Sequence, residues 1–273
     1  MKGIQGCGLG LRREFLFDAL ASQNSPAWWE ITPENWMHMP YAYREAFETI
    51  ASTKPLVAHG LSLSIGSPDP LDITYLLNLK AFLDRYGITH YSEHLSFSSL
   101  HGRQTYELLP LPMTLSMATH VANKLKKVQD FLGRAVILEN ATYYHVPYSE
   151  MREIDFLLTV LERSGAKMLL DINNVYVNAT NHHFDAKRFI DAIDSHHVAY
   201  MHVAGHTLYE EENLIIDTHG ESIIDDVWAL VAHTCKRIDA PIMIERDNDV
   251  PSWEEMKEEF TTLHTIVKGA RGA

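Results

Sequence analysis

The sequence predicts a single (β/α)8 barrel spanning residues 1–273, on three observations. Eight short apolar, β-branched runs recur along the chain, helical patterns with apolar residues three and four apart alternate with them, and no Pro-, Gly- or Ser-rich linker divides the whole. Near-continuous apolar runs are strands covered on both faces, the condition of a parallel sheet wrapped by helices. At 273 residues with 46% hydrophobic content, the chain can bury one large core.

In order, the runs are "IQGCGLGL" (4–11), "AWWEIT" (27–32), "PLVAHGL" (55–61), "THYSEHL" (89–95), "AVILEN" (135–140), "KMLLDIN" (167–173), "HVAYMHV" (197–203) and "PIMIERD" (241–247). Helices are expected over 72–86, 114–132, 149–164, 185–194, 222–237 and 252–267. The last starts at "PSWEEM", where Ser252 can cap and Glu255 follows three residues later. An open doubly wound sheet is the competing fold. Its Gly-rich phosphate turn is not matched, because "GCGLGLR" leaves G-x-G-x-x-G at Leu11.

Composition narrows the chemistry. Two cysteines, Cys7 and Cys235, make neither a disulfide framework nor a thiolate zinc site, so a metal here takes nitrogen and oxygen ligands. A formal charge of −13 repels phosphate backbones and argues against nucleic acid. With no apolar run of membrane-spanning length and no long apolar stretch at the start, a cytoplasmic protein without a membrane partner is expected. The 16 histidines are the unusual feature, and their positions decide their meaning.

Those positions are the ends of strands. The third run ends at His59, the fourth at Glu93 and His94, the fifth at Glu139, the sixth at Asp171, the seventh at His202 and the eighth at Glu245. In a barrel all these ends line one face, where active sites of this fold are found. One acid or histidine there reads as a helix cap or a packing residue. Six ends in succession read as a shared set of metal ions, since burying several carboxylates without cations costs several kcal/mol each.

Further residues join this set. "LIIDTHGES" supplies Asp217 and His219 from the segment after the seventh run, where a loop can close a further metal site. Asn173 and Asn174 offer a neutral oxygen ligand or orient the carboxylates, with Asn174 preferred. His206 in "MHVAGH" is available to metal or substrate, and Arg12, after the first run, to substrate. Asp247 is the candidate for proton transfer. Glu30, Glu34 and Asn35 read equally as rim groups, caps or ion-pair partners, and His182 and His183 as a polar loop.

The blocks "HGLSLSIG", "YSEHLSF", "ILENAT", "LLDINNVYVNA", "YMHVAGH", "DTHGE" and "IERD" resemble those of the multinuclear non-haem iron-dependent oxidases, the family of the methanobactin and bufferin maturation enzymes. The resemblance runs from "GLGLR" to "IERDN". The ligand order is similar to that of xylose isomerase-like barrels, including the apurinic endonucleases. It implies His59, His94, Glu139, Asp171, Asn174, His202, Asp217, His219 and Glu245 as ligands. Asn174 stands where endonuclease-type barrels carry a histidine, against a three-zinc hydrolase.

By the same resemblance the cofactor is two or three iron ions of mixed Fe2+/Fe3+ valence, with Zn or Mn as substitutes, and carboxylates such as Glu139 bridge them. The substrate is a cysteine of a ribosomally made precursor peptide, oxidised with O2, and a small companion protein recognises the peptide. A divalent-metal hydrolase or isomerase of the same superfamily and a non-catalytic metal-binding module are the alternatives.

Overall fold

The computed structural model describes residues 3–22, 25–145 and 148–272. All eight expected runs contain a strand: Cys7–Gly10, Trp29–Ile31, Leu56–Gly60, Tyr91–His94, Val136–Glu139, Lys167–Asp171, Val198–Val203 and Ile242–Ile244. They form a closed barrel in the order first, eighth, seventh, sixth, fifth, fourth, third, second, with parallel pairing. Most strand residues are fully buried, as the unbroken apolar runs require.

Contacts gather the chain into two compact units. One comprises Met1–Ile31, Met39–Leu56 and Leu170–Ala273, the other Thr32–His38 and Val57–Leu169. In the first, helix Asp225–Arg237 packs on helix Trp253–Arg271, whose N-terminus carries the capping box expected of Ser252 and Glu255. In the second, helix Leu115–Leu132 packs on helix Glu153–Ser164, and each ends on a left-handed glycine, Gly133 and Gly165. Among the described residues no helix is long and apolar enough to cross a membrane.

Three expectations need correcting. The sixth run does not continue to residue 173: its strand stops at Asp171, and the helix Ile172–His182 that follows takes in His182, which was expected in a polar loop. Asp171 caps that helix, its Oδ1 accepting from Asn174 N at 2.7 Å, which leaves Oδ2 for other partners. His182 is the last residue of that helix and His183 its left-handed cap, with φ of 59°. The helix expected over 149–164 begins only at Glu153.

Outside the barrel lie elements that the periodicity does not reveal. Helices Leu16–Ala21, Pro33–Met37 and Tyr41–Thr53 follow the first two strands. Phe97–Leu100 and Arg103–Leu109 pair as an antiparallel hairpin, as do Thr207–Tyr209 and Leu214–Ile216. The second hairpin ends one residue before Asp217. It is fastened by Asn181, whose amide exchanges two hydrogen bonds with the backbone of Ile215, at 2.8 and 3.0 Å.

Candidate metal centre

In the second unit the ends of three neighbouring strands bring His59, His94 and Glu139 together, all buried. His59 Nε2 and His94 Nε2 lie 2.9 and 3.2 Å from the same oxygen, Glu139 Oε2, and 3.2 Å from each other. The opposite nitrogens are committed. His94 Nδ1 donates to the Gly60 carbonyl at 3.2 Å, and His59 Nδ1 donates to Ser92 Oγ at 2.8 Å, the serine hydroxyl in turn donating to Ala58 O. With Nδ1 donating, a neutral ring at either position would turn its Nε2 lone pair towards the shared carboxylate oxygen.

Beside His94, Glu93 is buried, and its Oε1 accepts from Leu63 N at 2.9 Å and Tyr91 OH at 2.9 Å. Burial, reinforced by the Glu34 charge, lifts its pKa to about 7.

In the first unit Glu245 is the shared group. Its Oε2 lies 2.8 Å from His202 Nδ1 and 3.2 Å from His219 Nδ1. Asp171 Oδ2 stands 3.9 Å from the same His202 nitrogen, and Asp247 Oδ2 stands 3.2 Å from the same His219 nitrogen. His202, Asp171 and Glu245 thus converge, as do His219, Glu245 and Asp247. Burial opposes protonation of both imidazoles, yet the surrounding carboxylates prevail and raise both pKa values well above the usual histidine range. For His202 these are Glu30 and Glu245, and for His219 Asp217 and Glu245. Glu245, though buried, is held well below the carboxylate range by the two histidines.

The loop that carries His219 is tied down on every side. His219 N donates to Gly205 O at 3.1 Å, and Asp247 N to His219 O at 3.0 Å. Asn248 Nδ2 reaches Thr218 O at 2.6 Å. Buried Arg246 donates from Nη1 to Gly220 O at 2.6 Å and from Nη2 to Glu259 Oε2 at 2.8 Å, and the other oxygen of Glu259 accepts from Ile223 N at 2.9 Å.

The remaining expected residues fall as follows. Asp217 lies outside the converging groups: it stands 2.7 Å from the far nitrogen of His219 and accepts from Asn173 Nδ2 at 2.8 Å. Asn174 is buried on the first turn of its helix, where its N–H meets Asp171. His206 is buried against Asn173 and stacked on Tyr176. Arg12 pairs with Asp247, donates to Arg246 O at 2.6 Å and lies 3.9 Å from Glu245. Burial and the Glu245 charge push the Asp247 pKa up, but the His219 hydrogen bond and Arg12 leave it lowered.

Glu30 has a place that the sequence reading left undecided. It is 1% exposed, and its Oε2 accepts from His202 Nε2 at 2.9 Å and from Tyr200 OH at 2.7 Å. A carboxylate behind an imidazole fixes its tautomer and orientation, so Nδ1 is the nitrogen left to bind a metal. Tyr200 and His202 alternate along one strand, placing both on one face. Glu30→Gln is expected to weaken metal binding about 10–100-fold without unfolding the chain. Competition against a chromophoric chelator measures this, and an unchanged affinity would remove Glu30 from that role.

These donors fit a metal. Two cis ligands at about 2.1 Å from one ion sit about 3 Å apart, the spacing of His59, His94 and Glu139. Two imidazole nitrogens gathered on one buried carboxylate oxygen call for positive charge between them, which a metal ion can supply. In the first unit protons on His202 and His219 answer for the buried acids, and a divalent ion at the same atoms replaces them. All donors are nitrogen or oxygen, a set that suits iron, manganese or zinc.

The profile of the RiPP precursor modification enzymes MbnB/TglH/ChrH, which act on ribosomally made peptides, matches residues 6–268. The chain belongs to this family. A UPF0276 protein of Acinetobacter baylyi is 42% identical over 264 residues, covering 96% of this chain and 91% of its own. One of Shewanella sediminis is 44% identical over 262 residues, covering 94% and 92%.

Solved structures share the fold of this family member at low identity. The IolI protein with a bound zinc atom aligns with a TM-score of 0.63 at 10% identity, over 98% of this chain and all of its own. Endonuclease IV of Thermus thermophilus aligns with a TM-score of 0.61 at 15% identity, over 97% and 99%. The likeness is one of fold, a closed eight-stranded parallel barrel wrapped by helices.

Proposed function

We propose that this member of the RiPP precursor modification enzymes is a multinuclear iron-dependent oxidase. Its substrate is a cysteine of a precursor peptide, its oxidant is O2, and a small companion protein presents the peptide. The observation that carries the reading is the pair of buried donor sets built only from imidazole and carboxylate, in a chain whose family modifies RiPP precursors. The ligands are His59, His94, Glu139, Asp171, Asn174, His202, Asp217, His219 and Glu245, and zinc or manganese can occupy the same donors. When bound, iron supplies the one-electron chemistry that a closed-shell peptide and O2 need.

The chain's own residues place and shield the reactants. Glu245 Oε2, 2.8 Å from His202 Nδ1 and 3.2 Å from His219 Nδ1, would be a donor to metal held by either histidine. Glu30 and Tyr200 keep His202 in one orientation. Arg12 balances the charge of Asp247, the proposed proton-transfer group at the more exposed edge.

The test supplies ferrous iron, O2, the companion protein and a cysteine-bearing precursor peptide, with mass spectrometry of the product. Oxygen-dependent loss of hydrogen mass at the cysteine, absent for a Cys→Ser peptide, is expected, with at least two metal ions per chain by elemental analysis and iron dominant. Equal activity without oxygen, or zinc-supported hydrolysis, would assign the chain to a divalent-metal hydrolase instead.

A further inference from the structure

His206 differs from the histidines of the two donor sets in what its ring nitrogens face. His59, His94, His202 and His219 each have both nitrogens directed at protein groups. His206 is 7% exposed and uses Nδ1 alone. Among the described residues its Nε2 meets no hydrogen-bonding group, and it is not sealed from solvent.

The state of that open nitrogen follows from the groups behind it. Asn173 is fully buried between Asp217 and His206. A carboxylate accepts only, so the end of the Asn173 amide 2.8 Å from Asp217 Oδ1 is the NH2. The amide oxygen is then the atom 2.8 Å from His206 Nδ1, and it too accepts only. Nδ1 therefore carries the hydrogen, and in a neutral ring Nε2 carries the lone pair.

The surroundings of the ring favour its neutral form. Burial lowers its pKa, with the Asp217 charge opposing and His219 adding to the shift. Tyr176 stacks on it at 5.2 Å and 21° and fixes the plane of the imidazole, its own hydroxyl held 3.3 Å from Asp226.

We propose that His206 Nε2 is the base that takes the thiol proton of the substrate cysteine, with Asn173 holding it in the accepting tautomer. This rests on the reading of the substrate as a peptidyl cysteine. In the step the S–H bond breaks and leaves its electron pair on sulfur, while an N–H bond forms at Nε2. The product is a thiolate and an imidazolium, and the new charge is stabilised through Nδ1–H and Asn173 towards Asp217. A base oriented by a third group is the arrangement that activates nucleophiles elsewhere.

Two measurements test this separately. Long-range 1H–15N spectra of 15N-histidine-labelled, zinc-loaded protein report the tautomer, the His206 signal being the one lost in His206→Gln. Nδ1 protonation is expected, and an Nε2-protonated ring overturns the proposal. Asn173→Leu should release the ring to a tautomer mixture, and an unchanged signal there overturns the lock.

Single-turnover oxidation by the iron-loaded chain with its companion protein and precursor peptide gives the second measurement. At pH 7, His206→Gln should slow the reaction about 10²-fold, with metal content and peptide affinity unchanged. The loss should shrink as pH rises towards about 8.5, where the thiol ionises unaided. A loss equal at every pH, or none, overturns the base role. A wild-type chain inactive on the peptide overturns the functional reading and the thiol as proton donor, while the spectra still decide the tautomer.

Discussion

Replacing Glu245 with Ala is expected to remove at least one metal ion per chain and to slow peptide oxidation by more than about 10²-fold, the upper end of what losing an outer partner costs. Its Oε2 is within 2.8 Å of one candidate ligand and 3.2 Å of another, so one truncation takes a donor from both groups. It also deprives His202 and His219 of the carboxylate that both share, which raises their pKa values. Both rings then hold protons less readily in the metal-free protein. Glu245→Asp keeps the charge on a shorter arm and should retain part of the metal. Elemental analysis beside circular dichroism measures the effect, and a folded Glu245→Ala variant with full metal content would exclude Glu245 as a ligand.

Gly205→Ala is expected to be the most damaging small substitution near the site. A Cβ at Gly205 would lie 1.9 Å from the Glu221 carbonyl oxygen and 2.5 Å from its carbon, both backbone atoms with no rotamer to change. The segment after His219 would have to retreat by roughly 1.5 Å to reach ordinary contact, and metal donors tolerate about 0.2 Å. A destabilisation of about 3 kcal/mol is expected, together with loss of the metal that His219 helps to hold. Thermal unfolding with elemental analysis decides it. A melting temperature and metal content equal to wild type would mean that the segment yields without cost.

The eight strands were legible because burial on both faces leaves no polar alternation to confuse the pattern. The helix Ile172–His182 was not, since "NNVYVNATNHH" combines asparagines and β-branched residues that are weak helix formers, and capping by Asp171 together with burial of Val175 and Val177 overrides that preference. The strand-end donors could be read because each sits at a fixed offset from an apolar run. Their outer partners could not. Glu30 meets His202 across 172 positions, and Asn173 meets His206 across 33, distances that spacing does not encode. Asn173 was passed over for Asn174 on spacing from Asp171, whereas its importance lies in the two groups its amide joins.

The strut from Arg246 through Glu259 to Ile223 sets an order of assembly. Residues 217–220 leave the ribosome well before residue 259, so for a time the nascent segment has its own backbone partners but not the helix that clamps it. The last fastening of the His219 side therefore awaits the helix that contains Glu259. Completion of the His219 donor group is thus tied to a late step of folding, when helix Trp253–Arg271 is in place.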